Sequence, residues 1–443
     1  MPLPTIFIKV KKLEKREIYK DNFAEYLLCL ALDVGEGMLK CGAEISRVED
    51  TVERICHAYG AAHVEVFTIN SLINASVRMP DGLYSSQIRR IRSTATNLSL
   101  LEKYNTLSRK ICIECPSLES FENSIREIKR SKSFGFPAIC LASGLASGGF
   151  AMFFGGKWND ILIAFFVGML IGVVDAKMPP RVNAMAKIVI SAAITAAVAI
   201  VLARLGIASS ADYVIMGAIM LLVPGVAFGT AMRDLLYGDL LSGTLKTLQA
   251  ILTALMIAFG YMISVEFLEL FGIRIEDTSP LISDFTEFFK PMLFLASAGA
   301  LIGSFAFAVM FKVSRRNIAY ATLAGLVTYI VYYIVEFFSE GAAFPAAFVS
   351  TMATALLAEI FSRTNKSPTI VFLIPGVIPT VPGGSLYKAM RSLLLHDFAD
   401  SLSSLFVALQ IGLGIAGGIL TVSIIFGTVA EKITKRKTEK NDK

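Results

Sequence analysis

The hydrophobic rhythm of the chain changes twice. Residues 23–40 place Phe23, Leu27, Leu30, Val34 and Met38 at helical spacing. Ser46-Arg47-Val48-Glu49 reads as a capping box opening a second helix that runs to about Tyr59 and stops at Gly60. From His63 the pattern alternates and turns β-branched, which predicts strands at 63–69, 71–79 and 84–91, divided by Asn70-Ser71 and the turn Pro80-Asp81-Gly82. Helices near 94–110 and 117–131 complete an α+β domain over residues 23–132, preceded by a basic segment at 1–22.

Beyond Arg130-Ser131-Lys132 the alternation gives way to long apolar stretches. A helix needs about 20 residues to cross ~30 Å of hydrocarbon. Ten stretches qualify: 135–154, 159–176, 183–204, 211–231, 243–268, 291–311, 317–338, 343–361, 368–386 and 402–428. They divide into a first five-helix membrane unit at 135–268, an acidic extracytoplasmic loop at 269–290 and a second five-helix unit at 291–428, with a basic cytoplasmic tail at 429–443. The predicted fold is a polytopic α-helical membrane protein of about ten transmembrane helices, with an N-terminal cytoplasmic α+β domain.

Composition sharpens this picture. The 443 residues are 54% hydrophobic and 18% charged, where soluble proteins carry about 25% charge. Residues 135–430 hold only 16 acidic and 16 basic side chains, too few to cover a soluble domain of that size. A soluble enzyme, a nucleic-acid binder and a fibrous protein are excluded as descriptions of the whole chain. The net charge of +6 resides in the front domain and the tail. Lys177, Arg181, Arg233, Lys312, Arg315, Arg316, Arg363 and Lys366 fall in gaps on one side, whereas 269–290 carries Glu269, Glu276, Asp277, Asp284 and Glu287 against Arg274 and Lys290. Retention of basic residues inside predicts cytoplasmic N- and C-termini in the cell membrane. The charge run Lys9 to Glu17 is not followed by an apolar core or cleavage site, so the start does not read as a secretory signal.

The most informative feature is an internal repeat. Val223-Pro224-Gly225, Ala231-Met232-Arg233, Leu235-Leu236 and Asp239 recur as Val381-Pro382-Gly383, Ala389-Met390-Arg391, Leu393-Leu394 and Asp397, nine identities at a constant offset of 158. Five spans per copy would reverse the second copy across the bilayer, giving two five-helix inverted repeats. In such transporters the substrate site lies near the midplane at interrupted helices.

Proline removes a backbone donor and glycine loosens a helix, so Pro224-Gly225 breaks the fourth span and Pro375-Gly376, Pro379 and Pro382-Gly383-Gly384 break the ninth. The freed amides suit the carboxylate of a small molecule. Candidate substrate-binding positions are Pro224, Gly225, Gly229, Arg233, Pro375, Gly376, Pro382, Gly383, Gly384 and Arg391, the arginines offering a bidentate fork. Headgroup anchoring is the competing role for Arg391 and Lys388. Ionisable groups in or beside spans are costly, which makes Asp234, Asp239, Glu359 and Asp397 candidate proton carriers, with Asp400 nearby. Ser191, Thr195, Ser350, Thr351 and Thr354 could bond substrate, but packing by small residues accounts for them more simply.

The front domain holds five of the six cysteines, including Cys112-Ile113-Glu114-Cys115, with no second CxxC or paired histidine. They read as reduced thiols, and no metal site is expected. Ser71 with His57 or His63 and Asp81 has no nucleophile elbow, and no phosphate loop or dinucleotide fingerprint occurs, so neither catalysis nor a cofactor is expected. Homo-oligomerisation stays open, because aromatic pairs such as Tyr332-Tyr333 and Phe337-Phe338 suit either lipid or a second copy.

Across nearly its whole length the chain resembles the threonine/serine exporter family. The turn and helix start Leu39-Lys40-Cys41-Gly42-Ala43-Glu44-Ile45-Ser46-Arg47-Val48-Glu49, the strand pair Phe67 to Arg78, and the breaks Pro224-Gly225-Val226 and Pro375-Gly376-Val377 carry the likeness. The resemblance implies a cytoplasmic α+β domain joined to two five-span units, here in one chain. It also implies export of threonine and serine driven by the membrane potential or proton gradient, or of a dicarboxylate such as succinate as in two-chain relatives. A membrane-tethered hydrolase or sensor acting through the front domain is the alternative of a different class.

Overall fold

The computed structural model describes residues 23–131, 133–179, 181–225, 230–231, 234–235, 238–273 and 293–441, with side chains of the last helix as far as Phe426 and at Thr428. The chain divides into two compact units, Met1–Ser133 and Phe134–Lys443.

In the first unit, α1 (Phe23–Lys40) and α2 (Ile45–Ala58) precede an antiparallel sheet of β1 (His63–Ile69), β2 (Leu72–Arg78) and β3 (Tyr84–Arg90), followed by α3 (Leu98–Glu114) and α4 (Leu118–Arg130). Alternation along β2 buries Ile73, Ala75 and Val77 on one face. Register pairs Val64 with Val77 and Ser76 with Ser86. α1 packs on β2 and β3, and α2 on β1. Gly37 lets α1 lie against α3, since a Cβ there would overlap the Tyr104 ring.

Two expectations are corrected here. The capping box at Ser46–Glu49 does not form. α2 starts at Ile45 with Glu44 as its N-cap and no side-chain cap bond. The Glu49 carboxylate instead accepts from the Thr68 amide of β1 at 2.7 Å. The next helix starts at Leu98 rather than 94, because the Ala95 and Asn97 amides are spent on Lys40 O and Cys41 O. Asn97 then caps α3 by accepting from the Leu100 amide at 3.2 Å.

The second unit is helical: α5 (Phe136–Phe153), α6 (Trp158–Lys177), α7 (Ala184–Arg204), α8 (Ala211–Ile219), α9 (Leu240–Glu269), α10 (Leu293–Met310), α11 (Ile318–Phe338), α12 (Ala343–Asn365), α13 (Ile370–Val377), α14 (Gly383–Leu394) and α15 (Phe398–Asn441). Among the described residues, eight helices are long and apolar enough to cross a membrane. A ninth is added if α13 and α14, bent by 41° around Ile378–Thr380, count as one span. The predicted span 211–231 does not yield one continuous helix: α8 has nine residues, about 14 Å at 1.5 Å per residue. Its sequel, 226–229, lies outside the described residues. Rows of large apolar side chains point outward, such as Leu162, Phe166 and Leu170 on α6 and Leu248, Leu252, Leu255 and Phe259 on α9. In water these would be aggregation sites, whereas in lipid they face their solvent. The interior is built on small residues: Ser147 of α5 is fully buried against Gly168 of α6, and Ser304 of α10 against Gly325 of α11.

Candidate functional site

The two Val-Pro-Gly breaks meet. Each closes the same tight turn across its proline: Gly225 N–H donates to Val223 O at 2.8 Å, and Gly383 N–H to Val381 O at 2.7 Å. Each packs against the other copy. A Cβ at Gly225 would lie 2.5 Å from a Val381 methyl, and one at Gly383 would collide with the Met220 sulfur. Met220, Ile378 and Val381 share a core cluster with Phe150 and Phe307, whose rings meet edge to face at 5.9 Å, and Val223 packs against it. Downstream the copies still match. The Asp239 amide donates to Asp234 O and the Asp397 amide to Ser392 O, both at 2.9 Å, after left-handed Gly238 and His396.

Pro382 starts α14, whose second turns are inserted among α8 and α9. There Tyr387 and Arg391, one helical turn apart, converge on Asp212 of α8. The Tyr387 hydroxyl donates to Asp212 Oδ1, and Arg391 Nε lies 3.3 Å from the same oxygen. The Asp212 side chain is 1% exposed and that of Arg391 11%. The ring of Tyr261 from α9 stands edge-on to Tyr387 at 5.9 Å. Ser210 caps α8 by accepting the Asp212 amide at 3.3 Å, which holds the carboxylate at the helix start. Taking each ion out of water costs several kcal/mol, so such a pair persists only through mutual attraction and added hydrogen bonds. The Arg391 side chain is thus held inside the bundle, whereas Lys388 is half-exposed, 3.2 Å from Asp400.

Asp212, Tyr261 and Tyr387 are absent from the candidates drawn from the sequence. Asp212 carried a usable signal, an acid inside the predicted span 211–231; the tyrosines did not, since each reads as one more apolar residue.

The other candidates are dispersed. Asp234 pairs with Lys246 of α9 at 2.6 Å, with both side chains largely buried. Beside it, burial and the Asp234 charge push the Asp239 carboxyl above its ordinary range, partly offset by Lys246. Asp397 is exposed and accepts from the Asp400 amide at 3.0 Å, which makes it the cap of α15. Glu359 accepts from Thr369 at 3.0 Å and lies 3.9 Å from Arg363. Asn317 Nδ2 donates to Ser367 Oγ at 2.9 Å and Ser362 Oγ to Ser367 O at 2.6 Å, which ties the start of α11 and the end of α12 to the turn ahead of α13. Pro375 sits inside α13, and a Cβ on Gly376 would lie 2.8 Å from Thr354. A Cβ on Gly384 would lie 3.0 Å from the Phe154 ring. Gly229 and Arg233 lie outside the described residues. Most of the hydroxyls are spent on their own helices: Thr195 on Ser191 O, Ser350 on Ala347 O, and Thr354 on Ser350 O and Thr328.

Ser71, His57, His63 and Asp81 do not assemble into a triad. Ser71 precedes β2 and Asp81 follows it, so a seven-residue strand separates them, about 23 Å of backbone. His57 Nδ1 is 2.9 Å from Ala61 O, and His63 lies 3.1 Å from Glu65. The Cys115 thiol donates to Ala58 O at 3.2 Å, and burial pushes the Cys112 thiol up, opposite to a redox or metal-binding thiolate.

Apolar helices around a broken segment, with a buried ion pair joining the two breaks' helices, define a multi-pass membrane protein of the transporter class. The chain belongs to the threonine/serine exporter family. A family model described as "Putative threonine/serine exporter" matches residues 29–268, and one described as "Threonine/Serine exporter, ThrE" matches 296–425. The chain is 22% identical over 406 residues to the "Threonine/serine exporter" of Corynebacterium glutamicum, covering 88% of this chain and 80% of that one. It is 23% identical over 414 residues to the "Probable threonine/serine exporter" of Mycobacterium tuberculosis, covering 90% and 76%. "Pheromone-regulated membrane protein 10" of Debaryomyces hansenii is 21% identical over 335 residues, 72% of this chain and 32% of that one. No solved structure matches.

Proposed function

We propose that the protein is a secondary exporter of small zwitterionic amino acids, threonine or serine, across the cell membrane. The observation carrying this reading is the buried Asp212–Arg391 pair. A zwitterion needs one cation for its carboxylate and one anion for its ammonium, and exchange of partners between this pair and the substrate keeps every charge compensated. A dicarboxylate would require two cations, and Asp212 would repel it. The names of the bacterial relatives agree with an amino acid.

The broken helices supply the moving part. Two five-helix units related by inversion, pivoting where Val381 meets Gly225 and Met220 meets Gly383, would expose the pair to each side in turn. Asp239 and Asp234 beside Lys246 are the proposed route for the coupling proton. Pro224, Pro375, Gly376 and Gly384 keep the breaks open, with Arg233 and Gly229 of the first copy included by their place in the repeat.

Efflux from preloaded proteoliposomes against threonine, serine, succinate and a neutral sugar tests this. Threonine or serine should exchange and succinate should not. Asp212→Asn should lower exchange by roughly a hundredfold if it withdraws about 2.8 kcal/mol of substrate binding. Succinate exchange without threonine exchange would replace this reading with the dicarboxylate one.

A further inference from the structure

The first unit contains a cavity of about 440 Å³ between α2 and α3. It is lined on α2 by Arg47, Asp50 and Arg54 and on α3 by Asn105, Arg109 and Cys112. These fall at i, i+3 and i+7 on α2 and at i, i+4 and i+7 on α3, so each helix turns one face to the space. Asp50 is already engaged, its Oδ1 accepting from Arg54 Nε at 2.7 Å. That leaves Arg47 and Arg109 without a carboxylate partner among the described residues. The acid nearest in sequence to Arg47 that could have served, Glu49, is spent on the Thr68 amide.

Two donors in this wall are stranded. Arg47 Nη1 and Asn105 Nδ2 are both shut off from bulk water and have no acceptor in the chain. Asn105 is 7% exposed. A buried N–H without an acceptor costs about 1–3 kcal/mol, more where it is charged. Natural structures satisfy such groups; a rotation of either side chain toward the cavity would bring its donor to a ligand, and each of the two stranded groups is a donor. The cavity volume lies in the range of small-molecule sites.

We propose that this cavity is a binding site for a small dianion, recognised by its carboxylate or phosphate oxygens, with Arg47, Arg109 and Asn105 as its donors. Arg47 and Asn105 reach the oxygens from the two opposite walls, and Arg109, exposed at the rim, closes over them. The site is built entirely within the first unit and shares no residue with the proposed transport route, so it can report on the cytoplasmic pool of an anion independently of the cargo.

Cys112 supplies the readout, because it lines the same cavity and is partly exposed. The full chain in detergent, carrying Cys115→Ser to remove the exposed neighbouring thiol, is alkylated with neutral N-ethylmaleimide. Cys112 modification is followed by peptide mass spectrometry in chloride, inorganic phosphate or succinate at equal ionic strength. At about ten times its dissociation constant, phosphate or succinate should slow Cys112 alkylation about tenfold and leave Cys29 unchanged. Whichever of the two protects names the oxyanion. Arg47→Gln and Arg109→Gln should each abolish protection while leaving the thermal midpoint unchanged or raised, since each removes a cation with no partner. Equal rates in all three salts, or protection that survives both arginine substitutions, would overturn the proposal.

Discussion

Asp212 shows how much a single buried charge constrains its surroundings. Its carboxylate is compensated by Arg391 and by the Tyr387 hydroxyl, so removing one member leaves another exposed to the full cost of burial. Arg391→Gln alone should lower stability by about 3–5 kcal/mol. Asp212→Asn combined with Arg391→Gln should restore much of that loss, because two neutral amides can hydrogen-bond each other. Thermal midpoints of the four proteins in detergent give the coupling, and additive losses would show that the two side chains do not interact. A second residue-scale prediction separates local from long-range capping. Ser46 is exposed and caps nothing, so Ser46→Ala should change stability by less than about 0.5 kcal/mol. Glu49→Ala strands the Thr68 amide and should cost about 1–3 kcal/mol. The motif Ser46–Glu49 was a sound local signal that lost to a strand amide far along the chain.

Between elements, the repeat was legible because proline and glycine act on their own backbone. Val-Pro-Gly dictates a break wherever it occurs, and both breaks are present with the same turn. What lay across from each break was not legible, since Met220 and Val381 are apolar residues among many and only the packed fold selects them. The same difference explains the candidate site. Arg391 was found because a cation beside a span stands out. Tyr261 and Tyr387 were not, because their hydroxyls matter only beside Asp212. The contact of Gly225 with Val381 makes a test of its own. Gly225→Ala should clash with Val381 and cost about 1–3 kcal/mol, with loss of threonine exchange. Val381→Ala in the same chain removes the methyls in the way and should recover exchange to within a fewfold of the starting protein. If Gly225→Ala is equally impaired with and without Val381→Ala, the contact between the breaks is not where the damage arises.

For the molecule as a whole, each break packs on the other copy, Gly225 on Val381 and Gly383 on Met220, through unequal contacts, since the offset of 158 makes Val223 rather than Met220 the counterpart of Val381. A two-fold axis can lie in the membrane plane, which inverts the second copy, or along the membrane normal, which does not. The crossing count ahead of the acidic loop 269–290 separates these. Five crossings put that loop outside and invert the second copy. Four crossings, with 211–231 entering and leaving on one face, put it inside. The scarcity of basic residues in the loop, Arg274 and Lys290 alone, favours five. Ser283→Cys places a thiol in that loop, and native Cys115, exposed in the first unit, serves as the internal reference. In intact cells a membrane-impermeant maleimide should modify Ser283→Cys and spare Cys115, and permeabilisation should bring Cys115 up to the same rate. If both thiols react only after permeabilisation, the chain crosses four times before the loop. The copies are then parallel, and alternating access by inverted repeats is excluded for this protein.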